Sequence, residues 1–409
     1  MTVALRLVEH RPQPGVRLTA AQAALLSASR LVTVTPEPGG HWCVSADREM
    51  VGSVRLTSRG ETIDLVITPK LPVRRLFFLL GYAQGGMRWH QEAVDVHEND
   101  DLLPVIAHAF ARMCERALGQ GVLQGYRTVE ESAPVLRGRL RTTEQTRRRF
   151  GQPLPAEIRY DDHTTDIAEN RILLTATRKL LRTTGTQAGT RALLRRALVR
   201  LEGVEPLPPG RELPAWQPSR LNTRFQNPLR LAELVLRSGS YEFSGDRALR
   251  TEGLVLRMWQ VFEDFVTRAL ADALRGRGGR CLLQDRRFHL DHAHTAQLRP
   301  DLVYEPPGAA GPTGVVDVKY KRARGQGGHT GDLYQMLAYC IRLGLAEGHL
   351  VYASGPGTTA QRHRLHGGPG VTVHQHVLDL DTDPETLLSQ IATIATAVGR
   401  TKLGTEGAP

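Results

Sequence analysis

The sequence predicts a multidomain α+β protein, and three observations predict it. Short β-branched runs separated by Gly, Pro and Ser or Arg turns fill the first 70 residues. From Val73 the apolar residues fall at helical spacing instead. Past residue 227 helical runs give way to a hairpin pattern and two more strand-like runs, expected to form a mixed sheet flanked by helices.

Residues 31–35, 42–44, 51–56 and 63–67 are the expected strands of a small barrel or sandwich, a β-rich N-terminal segment over residues 1–70. Pro69 closes that pattern, because proline cannot donate to a ladder. Leu76, Phe77, Leu79, Leu80 and Tyr82 then suit a buried helix, and residues 102–118, 171–181 and 191–201 suit three more. With an extended stretch at residues 126–140, they make a mostly helical module over residues 71–226. Residues 203–219 hold five prolines and few apolar anchors, the composition of a linker or a long surface loop. The third unit, residues 227–403, opens with helical runs near Asn227 and over residues 252–274. Residues 404–409 read as a frayed tail.

The 409-residue chain carries a net charge of +11, which favours polyanionic partners because neutralised phosphates release condensed counterions. Charge alone does not separate a nucleic-acid binder from an ordinary basic protein. The four cysteines, Cys43, Cys114, Cys281 and Cys340, are scattered and form no C-x-x-C pair. That argues against a disulfide framework or zinc knuckle and fits a reducing cytoplasm. Neither a signal-peptide pattern nor an apolar run of about 20 residues is present, so no membrane role is expected.

The chemistry concentrates between Leu298 and Tyr339. Pro300-Asp301 precedes a short apolar strand, a Gly/Pro turn follows, and a second strand carries Asp317, Val318 and Lys319. Period-two geometry puts Asp317 and Lys319 on one face and Val316 and Val318 on the other. A carboxylate and a lysine set between valines are costly unless something uses them. Asp301, Asp317 and the Val318 carbonyl would make a hard oxygen site for Mg²⁺, with Lys319 beside it to handle the attacking water. The alternative is an Asp–Lys pair on a solvated edge strand.

This arrangement is the PD-(D/E)xK signature of restriction-endonuclease-like domains. Downstream, Gln335 and Tyr339 stand four apart on a helix, hence on one face. That pattern resembles the extra motif of RecB-like nucleases, which contributes to the site and to DNA contacts. Upstream, Glu263 occupies the flank of an amphipathic helix, where such nucleases often carry another acid; a solvated glutamate is the competing reading.

The order of features resembles McrC, the nuclease subunit of the 5-methylcytosine-specific McrBC restriction system. Residues 67–70, 125–131, 136–140, 160–166 and 169–171 look like further stretches of that family, so the likeness runs from about Val51 to Ala353. Val318 departs from it, since the family usually carries a small residue between Asp and Lys. The resemblance implies a subunit that docks through its N-terminal half onto a hexameric McrB-like AAA+ GTPase and stimulates GTP hydrolysis. It further implies Mg²⁺-dependent cleavage of double-stranded DNA, with the modified base read by the partner. No G-x-x-x-x-G-K-[ST] occurs here, as expected if GTP belongs to the partner.

Two rival functions are a non-catalytic activator of the GTPase and a RecB-like repair nuclease. Four smaller signals have plainer readings beside the functional ones. His289, Asp291, His292 and His294 suggest zinc but read better as a polar turn, and His374 and His376 read as solvated strand histidines. Residues 147–149, 195 and 196 fit phosphate contacts or solvated helix faces. Arg137 and Arg139, flanking Gly138, suit contact with the GTPase, or structural pairs with Glu130, Glu131 or Asp162.

Overall fold

A computed structural model describes residues 2–46, 49–83, 102–182, 186–208, 210–238, 250–322, 330–353, 359–366 and 370–400. The tail at residues 404–409 lies outside them. The N-terminal strands are β1 (Thr2–Val8), β2 (Gln13–Val16), β3 (Thr33–Glu37), β4 (His41–Ser45), β5 (Met50–Ser58) and β6 (Glu61–Thr68), with helix α1 (Ala20–Ser29) between β2 and β3. That helix corrects the all-strand expectation for this segment. Thr19 caps it in a reciprocal box with Gln22, and its Leu25 and Leu26 fill the core of the segment. The strands divide into a sheet ordered β2-β4-β3 and a larger one ordered β1-β6-β5, which a further strand extends beyond β5.

Strand β10 (Arg250–Arg257) comes from far along the chain and pairs antiparallel with β5. It replaces the beginning of the helix expected over residues 252–274, which instead spans Met258–Arg275 as α8. Gly253 explains the difference. At φ +148° it leaves the helical region, and a Cβ there would stand 2.2 Å from the Ser53 carbonyl oxygen.

The helical module contains α2 (Val73–Ala83), α3 (Leu102–Gly119), α4 (Thr142–Arg149), α5 (Ala168–Leu181) and α6 (Ala188–Arg200), and α7 (Thr223–Ser238), expected to open the third unit near Asn227, packs with it through Phe225 and Leu229. Their apolar faces share one core with α8, through residues such as Phe77, Phe110, Phe225, Phe262 and Phe265. Truncating a fully buried phenylalanine of this kind costs about 3–5 kcal/mol. The proline-rich stretch is a packed surface loop: Trp216 donates to Glu233 at 3.1 Å, and Leu207 N to Thr175 at 2.9 Å. The extended stretch becomes a sheet ordered β7-β9-β8, from β7 (Gly125–Ala133), β8 (Arg139–Leu140) and β9 (Ala156–Thr164). Asp166 ties its base to the helices by accepting from Arg127, Arg171 and Glu205 N.

The C-terminal sheet is mixed and ordered β11-β14-β15-β16-β18-β17. Its strands are β11 (Arg280–Leu283), β14 (Leu302–Glu305), β15 (Gly314–Arg322), β16 (Glu347–Ala353), β17 (Gln361–Arg364) and β18 (Thr372–Leu378). The expected hairpin is present, with Leu302 opposite Val316. A small side ribbon joins β12 (Phe288–His289) to β13 (Gln297–Leu298). Helices α8 and α10 (Pro384–Val398) pack on one face of the sheet against Val316, Val318 and Val351. Helix α9 (Thr330–Leu343) covers the other with Met336, Tyr339 and Cys340, against Val315, Leu350 and Tyr352.

Candidate active site

The central strand β15 presents Asp317 and Lys319 toward the α9 face, while Val316 and Val318 are buried on the other. Lys319 Nζ stands 2.5 Å from Asp317 Oδ2. Asp301, the residue before β14, is buried and accepts a 2.7 Å hydrogen bond from Val318 N. The hairpin thus brings the sequence-distant carboxylate onto the backbone between Asp317 and Lys319. Glu263 reaches the same place from α8, close enough to Asp301 that each raises or lowers the other's pKa, and accepts from Gln284. It is half-buried and engaged, so the solvated-helix reading of Glu263 does not hold.

The electrostatics follow from this crowding. Burial first, and then the neighbouring Glu263, raise the Asp301 pKa well above the carboxylate range. Burial and Asp301 push Asp317 up to about 7. Burial opposes charge on Lys319, but Asp317, Asp301 and Asp332 outweigh it and raise its pKa. The lysine is therefore an ammonium at neutral pH and donates rather than accepts protons.

Helix α9 braces the centre. Gln335 Nε2 donates to Tyr339 Oη at 2.7 Å, and Tyr339 Oη donates to the Arg299 carbonyl at 3.1 Å, fixing the segment that leads into Asp301. Asp332, also on α9, accepts from Tyr352 at 2.8 Å and adds its field to Asp317 and Lys319. Gln284 and Arg299 were not anticipated from sequence. Gln284 donates to Glu263, and Arg299 donates to Gln284. No spacing rule links these side chains, so only the fold could have revealed them.

Does this donor set suit Mg²⁺? Among the described residues no three His, Cys, Asp or Glu side chains converge as a ready-made metal cage. The carboxylates instead lean on one another and on Lys319. Yet Asp301, Asp317 and Glu263 are hard oxygen donors, and buried Asp317 Oδ2 has only the Lys319 ammonium against it. Three carboxylates against one ammonium, with Asp332 adding its field, leave the centre net negative, which favours a divalent cation. The residues fit.

The remaining signals resolve differently. Asp291 spends its carboxylate on Thr295 and Ala296, capping the turn of the side ribbon. His374 and His376 are not solvated strand histidines: they stack with buried His349, whose Nδ1 lies 3.0 Å from His376 Nε2. Burial and the neighbouring imidazoles push His349 down to about 3 and His376 to about 4. Residues 147–149 pair with Glu144 and Glu157, and Arg196 with Glu115. Arg137 pairs with Asp162 at 3.5 Å and stacks over Tyr160, a structural role. Arg139 is exposed and has no side-chain partner among the described residues.

Fold and site together define an α+β protein with a carboxylate–lysine centre on the middle strand of a mixed sheet. The chain belongs to the family of McrBC 5-methylcytosine restriction system components, whose profile matches residues 47–353. It is similar to a chain in the half-complex refined from a tetradecameric assembly of Thermococcus gammatolerans McrB AAA+ hexamers with bound McrC. The two are 17% identical, with 97% of this chain and 100% of that chain covered and a TM-score of 0.60, a likeness of fold. A chain of the Thermococcus gammatolerans McrBC complex determined by cryo-EM is 21% identical over 66% of this chain and 88% of its own, at a TM-score of only 0.40. No curated protein matches the chain. No described helix is long and apolar enough to cross a membrane.

Proposed function

We propose that the chain is the Mg²⁺-dependent DNA endonuclease subunit of a modification-dependent restriction system, with a C-terminal domain of the PD-(D/E)xK type. The observation that carries this reading is the meeting of Asp301, Asp317, Glu263 and Lys319 at one end of the β14–β15 hairpin. Asp301, Asp317, Glu263 and the Val318 carbonyl would hold the cation, which neutralises phosphate charge and makes a bound water more acidic. Lys319, held as an ammonium by Asp317, donates to the attacking water or to a phosphate oxygen and aligns it. Tyr339 and Gln335 keep the Asp301 segment in register. Hydrolysis joins the water oxygen to phosphorus, breaks the bond to the leaving sugar oxygen, and returns a proton to that oxygen.

The second part of the proposal is docking onto an AAA+ GTPase hexamer, as McrC is bound to McrB hexamers in the similar structure. The β7-β9-β8 sheet favours it. Tyr126 on its strand β7 and Val135, Leu136, Phe150 and Leu154 in its connections are exposed, more apolar surface than a solvated segment needs. Arg139 is exposed in the same sheet and unpaired among the described residues, suited to a partner carboxylate or phosphate.

The test combines this chain, a partner GTPase, GTP, Mg²⁺ and methylated DNA. Asp317→Ala is expected to abolish cutting while stimulating GTP hydrolysis as the wild type does. Arg139→Ala is expected to lose stimulation, and cutting with it. Cutting by Asp317→Ala at the wild-type rate sinks the catalytic assignment. If wild type and Asp317→Ala both stimulate hydrolysis and neither cuts, the chain is an activator.

A further inference from the structure

Helices α8 and α9 lie on opposite faces of the C-terminal sheet, yet one line of hydrogen bonds joins them through the site. It runs from Gln335 to Tyr339, to the Arg299 carbonyl, then from the Arg299 guanidinium through Gln284 to Glu263, which stands beside Asp301. The donor chemistry orients the middle of this line. A guanidinium only donates, so the Gln284 oxygen must face Arg299 and its NH₂ must face the Glu263 carboxylate. With the amide reversed, two oxygens would oppose each other and Arg299 would meet an NH₂.

The backbone supports this placement. Gln284 follows the last residue of β11 at φ +47°, a left-handed conformation that non-glycine residues adopt only when their surroundings hold them there. Its N–H donates to the Asp301 carbonyl at 3.1 Å, so Gln284 is tied through its backbone to the same residue that Glu263 meets through its side chain. The line therefore holds two acids from separate elements in one relative position.

We propose that Gln284, oriented by Arg299, is a positioning residue that turns Glu263 toward Asp301 and makes it the third carboxylate of the cation site. This deepens the nuclease reading and rests on it. Gln284 touches neither cation nor substrate; it acts through Glu263. Partners of this kind typically set metal affinity by about 10–100-fold.

The experiment titrates Mn²⁺ calorimetrically into the full chain and measures the Mg²⁺ dependence of DNA cutting with the partner present. Gln284→Met keeps the length and removes the donor; Gln284→Glu keeps a partner for Arg299 but puts a carboxylate against Glu263. Both are expected to weaken Mn²⁺ binding about tenfold or more and to shift the Mg²⁺ requirement upward by the same factor. The cutting rate at saturating Mg²⁺ should recover more fully than the affinity. In a Glu263→Gln background, Gln284→Met is expected to add almost nothing. Wild-type Mn²⁺ affinity in Gln284→Met, or an undiminished effect in the Glu263→Gln background, overturns the positioning role and leaves the nuclease reading intact. If Asp317→Ala also leaves Mn²⁺ binding and cutting unchanged, the cation is not held here and both fall.

Discussion

At the scale of single residues, Lys319 has the sharpest consequence. Its ammonium is stabilised against burial by Asp317, Asp301 and Asp332, so it cannot serve as a neutral base while those acids are ionised. Lys319→Met removes the donor and strips Asp317 of its counter-charge. Cutting is expected to fall by about 10²–10⁴-fold, with stimulation of GTP hydrolysis unchanged. Both are measurable in one reaction by strand scission and phosphate release. An unchanged rate of scission would place the reacting phosphate elsewhere. The acid–lysine pair was legible in the sequence because period two and the flanking valines fix where each side chain points. Glu263 was only half legible, since a glutamate on a helix flank looks the same whether it meets Asp301 or water.

Among elements, α9 depends on an absence of atoms in the strand beneath it. A Cβ on Gly348 would stand 2.5 Å from Met336 Sδ and 2.8 Å from Cys340 Sγ, so this glycine lets the helix lie close to β16. Gly348→Val should force the helix outward or Met336 aside, costing about 1–3 kcal/mol. Because α9 also carries Gln335 and Tyr339, cutting should fall more than stability alone explains; urea titration and a cleavage assay on one preparation separate the two. Full activity with the lost stability would show that α9 need not sit this close. The hairpin and α9 were readable because their apolar periods are clean. Helix α1 was not, lying among β-branched runs, and β10 was misread because Leu254, Leu256 and Met258 continue into a true helix. Its partner β5 lies some two hundred residues away in the chain, and no local pattern encodes such a pairing.

For the whole molecule, several buried acids give folding a pH dependence whose sign runs opposite to that of salt-bridged carboxylates. Asp317 and Glu9 are each raised to about 7 and Asp264 to about 6, in every case chiefly by burial. Between the ordinary carboxylate range and about pH 7 these acids therefore bind more protons in the folded chain than in the unfolded one. Buried His349 and His376, held down to about 3 and about 4, bind fewer and offset part of the effect below the ordinary imidazole range. By linkage the chain's stability is greatest at the acid end of that window and declines as pH rises through the folded values. A divalent cation at Asp301, Asp317 and Glu263 would favour their ionised forms and so act against the decline, but it would leave the contributions of Glu9 and Asp264 untouched. In EDTA the thermal midpoint is accordingly expected to drop by several degrees between about pH 5 and pH 8. Mg²⁺ should restore part of that drop near pH 8 and do little near pH 5, where protons compete for the same oxygens. Asp317→Asn should shallow the drop in EDTA and remove most of the Mg²⁺ response, while the slope owed to Glu9 and Asp264 remains. A Mg²⁺ response equal at both pH values, or one that survives Asp317→Asn in full, would mean that the cation stabilises the fold somewhere other than the β14–β15 hairpin.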